Sequence, residues 1–282
     1  GGSKNLINCT NLSSIVGGIL NTSSANCSFI GGGSKNCITS QTSNHSLIVG
    51  GCCNTISAIY QNNSIVGGQN NLIGTGGAGG GFIGGGSGNT ISSNYSSDNS
   101  IVGGNNNTIS NYYGSGGKNF IGGGCSNSIS GYANDCNFIG GGCNNTISGY
   151  TANRHSIVGG FNNSISGYTQ AGAILGGSNN TINHNCTFIL GRSITTTTAD
   201  TTYMNNATVA CHLQVGGTTT MNSTTGRIDA SNDVVAFATS DRRLKCNIKP
   251  IKNALCKVIG VTGNTFDWKE LTKEEIKTIH GN

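Results

Sequence analysis

Few side chains in this sequence could do chemistry, and most lie at spacings that chemistry does not use. Twelve cysteines are present, but no Cys-x-x-Cys pair occurs. Cys52 and Cys53 are adjacent, so neither a zinc ribbon nor a thioredoxin-like motif has support, and the cysteines read mostly as small buried residues in place of Ser or Val. His45, His155, His184 and His212 are scattered without metal-ligand spacing, and His155, beside Arg154, reads as at most a surface contact. "GTGGAGGGFIGGGSGN" at 74–89 has the glycines of a phosphate cradle, yet lacks the Lys-Ser/Thr ending and the helix that such a cradle needs. Glycoside hydrolysis would require paired carboxylates, and residues 1–191 contain only Asp98 and Asp135, in loops of different repeats. The densest reactive run is "FATSDRRLKCNIKPI" at 237–251, with Ser240 and Lys245 five residues apart, a spacing that chance often supplies. No cofactor or metal site is expected.

The rest of the chain must explain what such a segment is for. Of 282 residues only 34% are hydrophobic and 9% charged, with 47 glycines and one proline. That is unlike an ordinary enzyme, and the low charge and single proline are equally unlike a disordered chain. The net charge of +5 is not spread evenly. Lys4, Lys35, Lys118 and Arg154 face Asp98 and Asp135 over residues 1–191, while the basic excess sits after residue 240. There is no basic stripe for nucleic acid. No apolar run is long enough for a membrane-spanning helix, no secretory signal is evident, and without an initiator Met the chain reads as a fragment or a processed product.

An internal repeat dominates. An apolar residue followed by Gly-Gly recurs from Val16 to Leu175, with Leu190-Gly191 as a worn copy, at spacings of 14 to 19 residues. After most of these comes Asn-(Thr/Ser)-Ile-Ser, as NTIS at 54, 89, 107 and 145 and NSIS at 127 and 163. Two short strands per unit and no helical period predict a β-solenoid with one coil per unit. Asn54, Asn71, Asn89, Asn107, Asn127, Asn145, Asn163 and Asn180 then stack as an amide ladder. Length variation in "AIYQ", "GYTANR" and "GYAND" belongs to outer loops, where Tyr112, Tyr113, Tyr132, Tyr150 and Tyr168 either stack on sugars or pack over glycine-rich corners. In Ser-Ile-Val-Gly-Gly and Phe-Ile-Gly-Gly, neighbouring apolar residues point to opposite faces of a strand. One face closes the coil and the other needs a second chain, so a parallel homotrimer is expected.

This pattern resembles the left-handed parallel β-roll of trimeric autotransporter adhesin heads. It is closer still to the "GGGxNNTxSG" repeats of phage-like and bacterial fibre proteins, here "FIGGGCNNTISGY" at 138–150. After Arg192 a Thr-rich stretch suggests short intertwined strands. "SDRRLKCNIKPIKNALCKVIGVTGNTFDWK" resembles the start of the intramolecular chaperone at the C-terminus of endosialidase-type phage tail spikes, through Ser240, Asp241, Arg243, Leu244, Lys245, Ile248, Pro250, Ile251, Phe266 and Trp268. Arg242 and Cys246 stand where acidic residues are common in that family. A short helix is expected from Pro250, with Ile251, Leu255 and Val258 on one face.

The resemblance implies a trimeric folding aid that cuts itself off, with Ser240 as nucleophile and Lys245, its pKa lowered by desolvation, as the base. The whole reads as an all-β, left-handed parallel β-roll or β-solenoid, an intertwined homotrimer. Its shaft spans 1–191, a β-strand neck 192–239, and an incomplete, partly helical chaperone start 240–282. It would be a viral or phage-like fibre on a virion surface or extracellular appendage. Its partners would be a host-surface glycan or protein receptor and other virion or appendage proteins, with no nucleic acid and no membrane span. The alternatives are a bacterial trimeric surface adhesin and a polysaccharide-degrading tail spike.

Overall fold

The computed structural model describes residues 1–8, 11–39, 44–74, 79–94, 98–112, 117–132, 135–150, 152–205 and 207, with the strands Leu213–Val215 and Ile228–Ala230. The chain divides into two units, Gly1–Thr208 and Val209–Asn282. The first is a parallel β-solenoid, and no helix occurs among the described residues.

Each coil contributes one strand to each of two sheets. The Asn-Thr-Ile sheet has 11 strands, from Leu6–Ile7 to Thr181–Ile182, and the Ile-Gly-Gly sheet has 12, from Ser14–Ile15 to Thr202–Met204. Every coil pairs in parallel with the next at constant register, as in Thr146↔Ser164 with Ile147↔Ile165 on one side and Phe138↔Ser156 with Ile139↔Ile157 on the other. Between the sheets lies a double column of isoleucines, from Ile30 and Ile38 to Ile182 and Ile189, each fully buried. A β-branched side chain suits this site because its restricted rotamer stacks on an identical neighbour without losing further freedom. Tyr203 stands in register with Ile189 and takes the isoleucine place in the last coil. Its phenol oxygen accepts the backbone N–H groups of Thr197 and Thr198, both at 2.9 Å. Hydrogen bonds from the hydroxyl and backbone of Thr197 and Thr198 pull its pKa down to about 8.

Polar backbone at the coil corners is a harder problem than the core, since a buried unpaired group costs about 1–3 kcal/mol. Asparagine solves it. The Asn145 amide donates to the Gly141 carbonyl at 2.9 Å within its own coil and to the Gly160 carbonyl at 3.0 Å in the next. Its oxygen accepts the Asn163 N–H at 3.1 Å. Asn54, Asn71, Asn89, Asn107 and Asn127 repeat the arrangement, so the expected ladder exists, running mainly from side chain to backbone.

The corner also fixes two backbone conformations. Gly142 has φ 85° and Asn144 φ 55°. Asn visits this left-handed region more readily than most residues, whereas at Gly142 a Cβ would run into the Gly160 carbonyl oxygen. Some coils lengthen the Asn-Thr-Ile strand, as in Thr108–Asn111, Ser128–Gly131 and Thr146–Gly149, and the turn after this strand can return a small residue to the core whatever the strand length: Ala25, Ala58 in "AIYQ" and Ala152 in "GYTANR" are fully buried. Replacing Gly142 by Ala is expected to cost about 2 kcal/mol or more, from the left-handed backbone and the carbonyl clash together. Thermal unfolding followed by circular dichroism checks this, and an unchanged midpoint would contradict the corner geometry.

Candidate functional site

A second polar ladder runs along the other corner of the coil. The Asn119 N–H donates to Asn99 Oδ1 at 3.1 Å, the Asn137 N–H to Asn119 Oδ1 at 3.0 Å, and the His155 N–H to Asn137 Oδ1 at 2.9 Å. All four residues are buried. The reading of His155 as a surface contact is therefore corrected: the residue before each Ser-Ile or Phe-Ile points inward, and His155 occupies that place. The signal was in the sequence, because Asn99-Ser-Ile and Asn119-Phe-Ile repeat the offset of Asn54-Thr-Ile.

The ring of His155 is held in one tautomer. Nδ1 accepts the Gly172 N–H at 2.8 Å, so Nε2 carries the proton and donates to the Thr169 carbonyl at 2.9 Å. Burial pushes the ring below the ordinary histidine range, outweighing the two backbone hydrogen bonds. Protonation would place an N–H on Nδ1 against the Gly172 N–H and charge a buried ring. The flanking charged residues along the chain are Arg154 and, one coil before it in register with Asn153, Asp135.

The other candidates prove structural. The described part of the glycine-rich stretch forms coil corners around the strand Phe82–Ile83, with Gly80, Gly86 and Gly88 at positive φ, and no helix follows. Asp135 Oδ1 accepts the Gly117 N–H at 3.2 Å and the Cys136 thiol at 3.4 Å. Asp98 sits at a left-handed corner, so the two carboxylates occupy different positions of separate coils and do not converge as a hydrolytic pair. Among the described residues no group of three or more metal-ligating side chains converges.

Tyr132 and Tyr150 stack face to face, with ring centroids 4.4 Å apart, and Tyr168 follows at 5.5 Å and a tilt of 36°. The inner faces cover one another, which leaves mainly ring edges and the Tyr168 end to solvent. Tyr113 lies outside the described residues.

The least ordinary surface is the outer side of the Ile-Gly-Gly sheet. Val16, Phe29, Val49, Val66, Phe82, Val102, Phe138, Val158, Leu175 and Phe188 are between 37% and 56% exposed. Two coil types, in no fixed order, supply this apolar strip. In Ser156-Ile157-Val158 the valine after the buried Ile points out; in Phe138-Ile139-Gly140 the Phe before it does. The Phe138 ring lies beside Gly140, where a Cβ would meet it and the Val158 carbonyl oxygen. Phe120 and Phe138 stack at 5.5 Å.

Ser240, Lys245 and the expected helix from Pro250 lie outside the described residues. Residues 240–281 match the family model for the chaperone of endosialidase. A search of curated proteins found no match.

The histidine gives a pH prediction. His155 is neutral when folded and has an ordinary pKa of about 6.5 when unfolded, so the unfolded chain binds more protons in acid. The stability it contributes is present in full above about pH 6.5 and declines as the pH falls below that value. The thermal midpoint should therefore fall on mild acidification. His155→Asn, which restores the residue found one coil earlier, should flatten that decline even if it lowers the midpoint at neutral pH. Parallel pH profiles for parent and variant would show that the ring is not the responsive group.

Proposed function

We propose that the protein is a trimeric fibre of the phage tail-spike or fibre class, a left-handed β-solenoid shaft that displays a host-attachment surface and is assembled by a C-terminal intramolecular chaperone. The observation that carries this reading is the succession in one chain of a solenoid with an unbroken apolar strip and a 42-residue match to an endosialidase chaperone over 240–281.

Glycine adds a physical argument for close chain approach. The second glycine of each pair is required by positive φ, as at Gly104 and Gly160, but the first is not. A Cβ on Gly50, Gly67, Gly85, Gly103 or Gly141 would meet nothing within 4 Å. Gly123 and Gly176, with φ of 153° and 151°, are the members of this column whose backbone itself favours glycine. Repeated glycine beside an apolar strip, with open space around it in the single chain, fits a neighbouring backbone packed close against it. The apolar strip then becomes the shared core of three shafts, and the Thr and Ser of the Asn-Thr-Ile sheet face outward.

Within the chaperone segment, Ser240 serves as nucleophile and Lys245 as the base that takes its proton. Such a lysine must be desolvated to lose its proton near neutral pH, so cleavage waits for assembly. The reaction is a single turnover beside Ser240.

Sedimentation analysis should give a trimer. Val158→Asp should dissociate it, and Gly141→Ala should weaken association while leaving the single-coil geometry intact. A stable folded monomer of the parent would overturn the trimer. Full-length expressed protein should show two fragments on denaturing electrophoresis, and Ser240→Ala one uncut chain; identical patterns would remove the autoproteolytic role.

A further inference from the structure

Coil register decides which cysteines can meet. Cys27, Cys136 and Cys186 hold left-handed corner positions in well-separated coils. Cys37 has Thr22 and Thr55 as its register neighbours, and Cys52 has Ser34 and Gln69. The thiols of Cys52 and Cys53 lie 3.0 Å apart, but they are consecutive in the chain, so a bond between them would tie no two coils together.

Cys125 and Cys143 differ from all of these. They hold the same corner position in consecutive coils and pair directly as a parallel bridge. The Cys125 N–H donates to the Gly142 carbonyl at 2.9 Å, and the Asn144 N–H to the Cys125 carbonyl at 3.0 Å, which clamps the two backbones at a strand-to-strand distance. Neighbouring strands lie about 4.7–4.9 Å apart, inside the Cα separation of roughly 4.4–6.8 Å that disulfides span. Bridge partners project their side chains to the same side. Cys125 is exposed and Cys143 partly so. The thiols sense one another: burial first, then the charge and hydrogen bonding of Cys125, raises the pKa of Cys143.

We propose that Cys125 and Cys143 are a disulfide site that staples two consecutive coils of the shaft when the protein meets a low-molecular-weight disulfide. The exposed Cys125 thiolate attacks one sulfur of the small disulfide, whose S–S bond breaks and releases one thiolate. Cys143, deprotonated in turn, attacks the Cys125 sulfur of the mixed disulfide and expels the second thiolate. The two protein thiols have lost two protons and two electrons, and the small disulfide has been reduced to two thiols. The bond joins residues 18 positions apart and closes a loop that contains Tyr132 and Asp135. This inference needs only the coil register, and it stands or falls independently of the trimer.

The test treats the full chain with oxidised glutathione, blocks remaining thiols by alkylation, and maps the peptides by mass spectrometry. Chymotryptic cleavage after Tyr132 and Phe138 separates the two cysteines. The expected result is one linked peptide pair joining Cys125 to Cys143, monomer mobility on a non-reducing denaturing gel, and a thermal midpoint that rises on oxidation. Cys143→Ser should lose the link and the rise, leaving Cys125 glutathionylated. Serine already occupies this corner at Ser34, Ser87 and Ser178, so the variant should fold, and circular dichroism checks that it does. Cys125 linked to Cys136, Cys125 linked to another chain, both cysteines carrying glutathione, or both remaining free would each overturn the proposal.

Discussion

The fold depends on asparagine side chains that satisfy backbone groups the strands cannot reach. A solenoid strand of two to four residues pairs only its own short span, while the turns between strands enter the interior carrying carbonyls and N–H groups that backbone pairing between coils satisfies only in part. Asn127 meets three turn groups at once, the Gly123 carbonyl, the Asn145 N–H, and the Gly142 carbonyl that also accepts the Cys125 N–H. Because one bond stays within the coil and two reach the next, closing a coil and stacking coils become the same interaction. Serine would be too short to span the two carbonyls. Aspartate would set an anion against them.

The two sheets inherit opposite surfaces from this constraint. Where the ladder Asn precedes Thr-Ile-Ser, strand alternation sends hydroxyls outward and one isoleucine inward. Where the second ladder precedes Ser-Ile-Val or Phe-Ile-Gly, the same alternation sends an apolar group outward. That apolar volume persists whether Val158 or Phe138 provides it, although the two come from opposite sides of the buried isoleucine. Maintaining a strip of this kind against water in coil after coil is costly for an isolated chain. Its persistence despite exchanged side chains is the physical basis for reading it as an interface.

The solenoid, its period and the first ladder were legible in the sequence because Asn-Thr-Ile and Ile-Gly-Gly recur with little change. The second ladder was harder to see. Its members vary among Asn63, Gly81, Asn99, Asn137 and His155, and what they share is an inward direction, which shows only once the isoleucine columns are aligned. His155 looked exposed because it follows Arg154 in a variable segment, yet the next two residues return the chain to the strand and turn the ring inside. The Ser240 and Lys245 pair rests on the motif around it, and two residues five apart carry no geometry of their own until a fold brings them together.

Near-identical coils also create a difficulty that contacts within one chain do not remove. In the proposed trimer, a shaft displaced by one coil against its neighbour would present almost the same apolar strip, glycines and ladders, so misaligned assemblies would be close in energy to the aligned one. Long-range parallel pairing is slow to form, and unpaired edges stay open to wrong partners while it does. A folding unit at one end that gathers the chains before the shafts zip together would set the register once, and every following coil would inherit it from its neighbour. On this argument the regularity that makes the shaft easy to extend is also what makes a terminal folding aid necessary. The chaperone-like residues 240–281 and the repeat then become two parts of one physical solution.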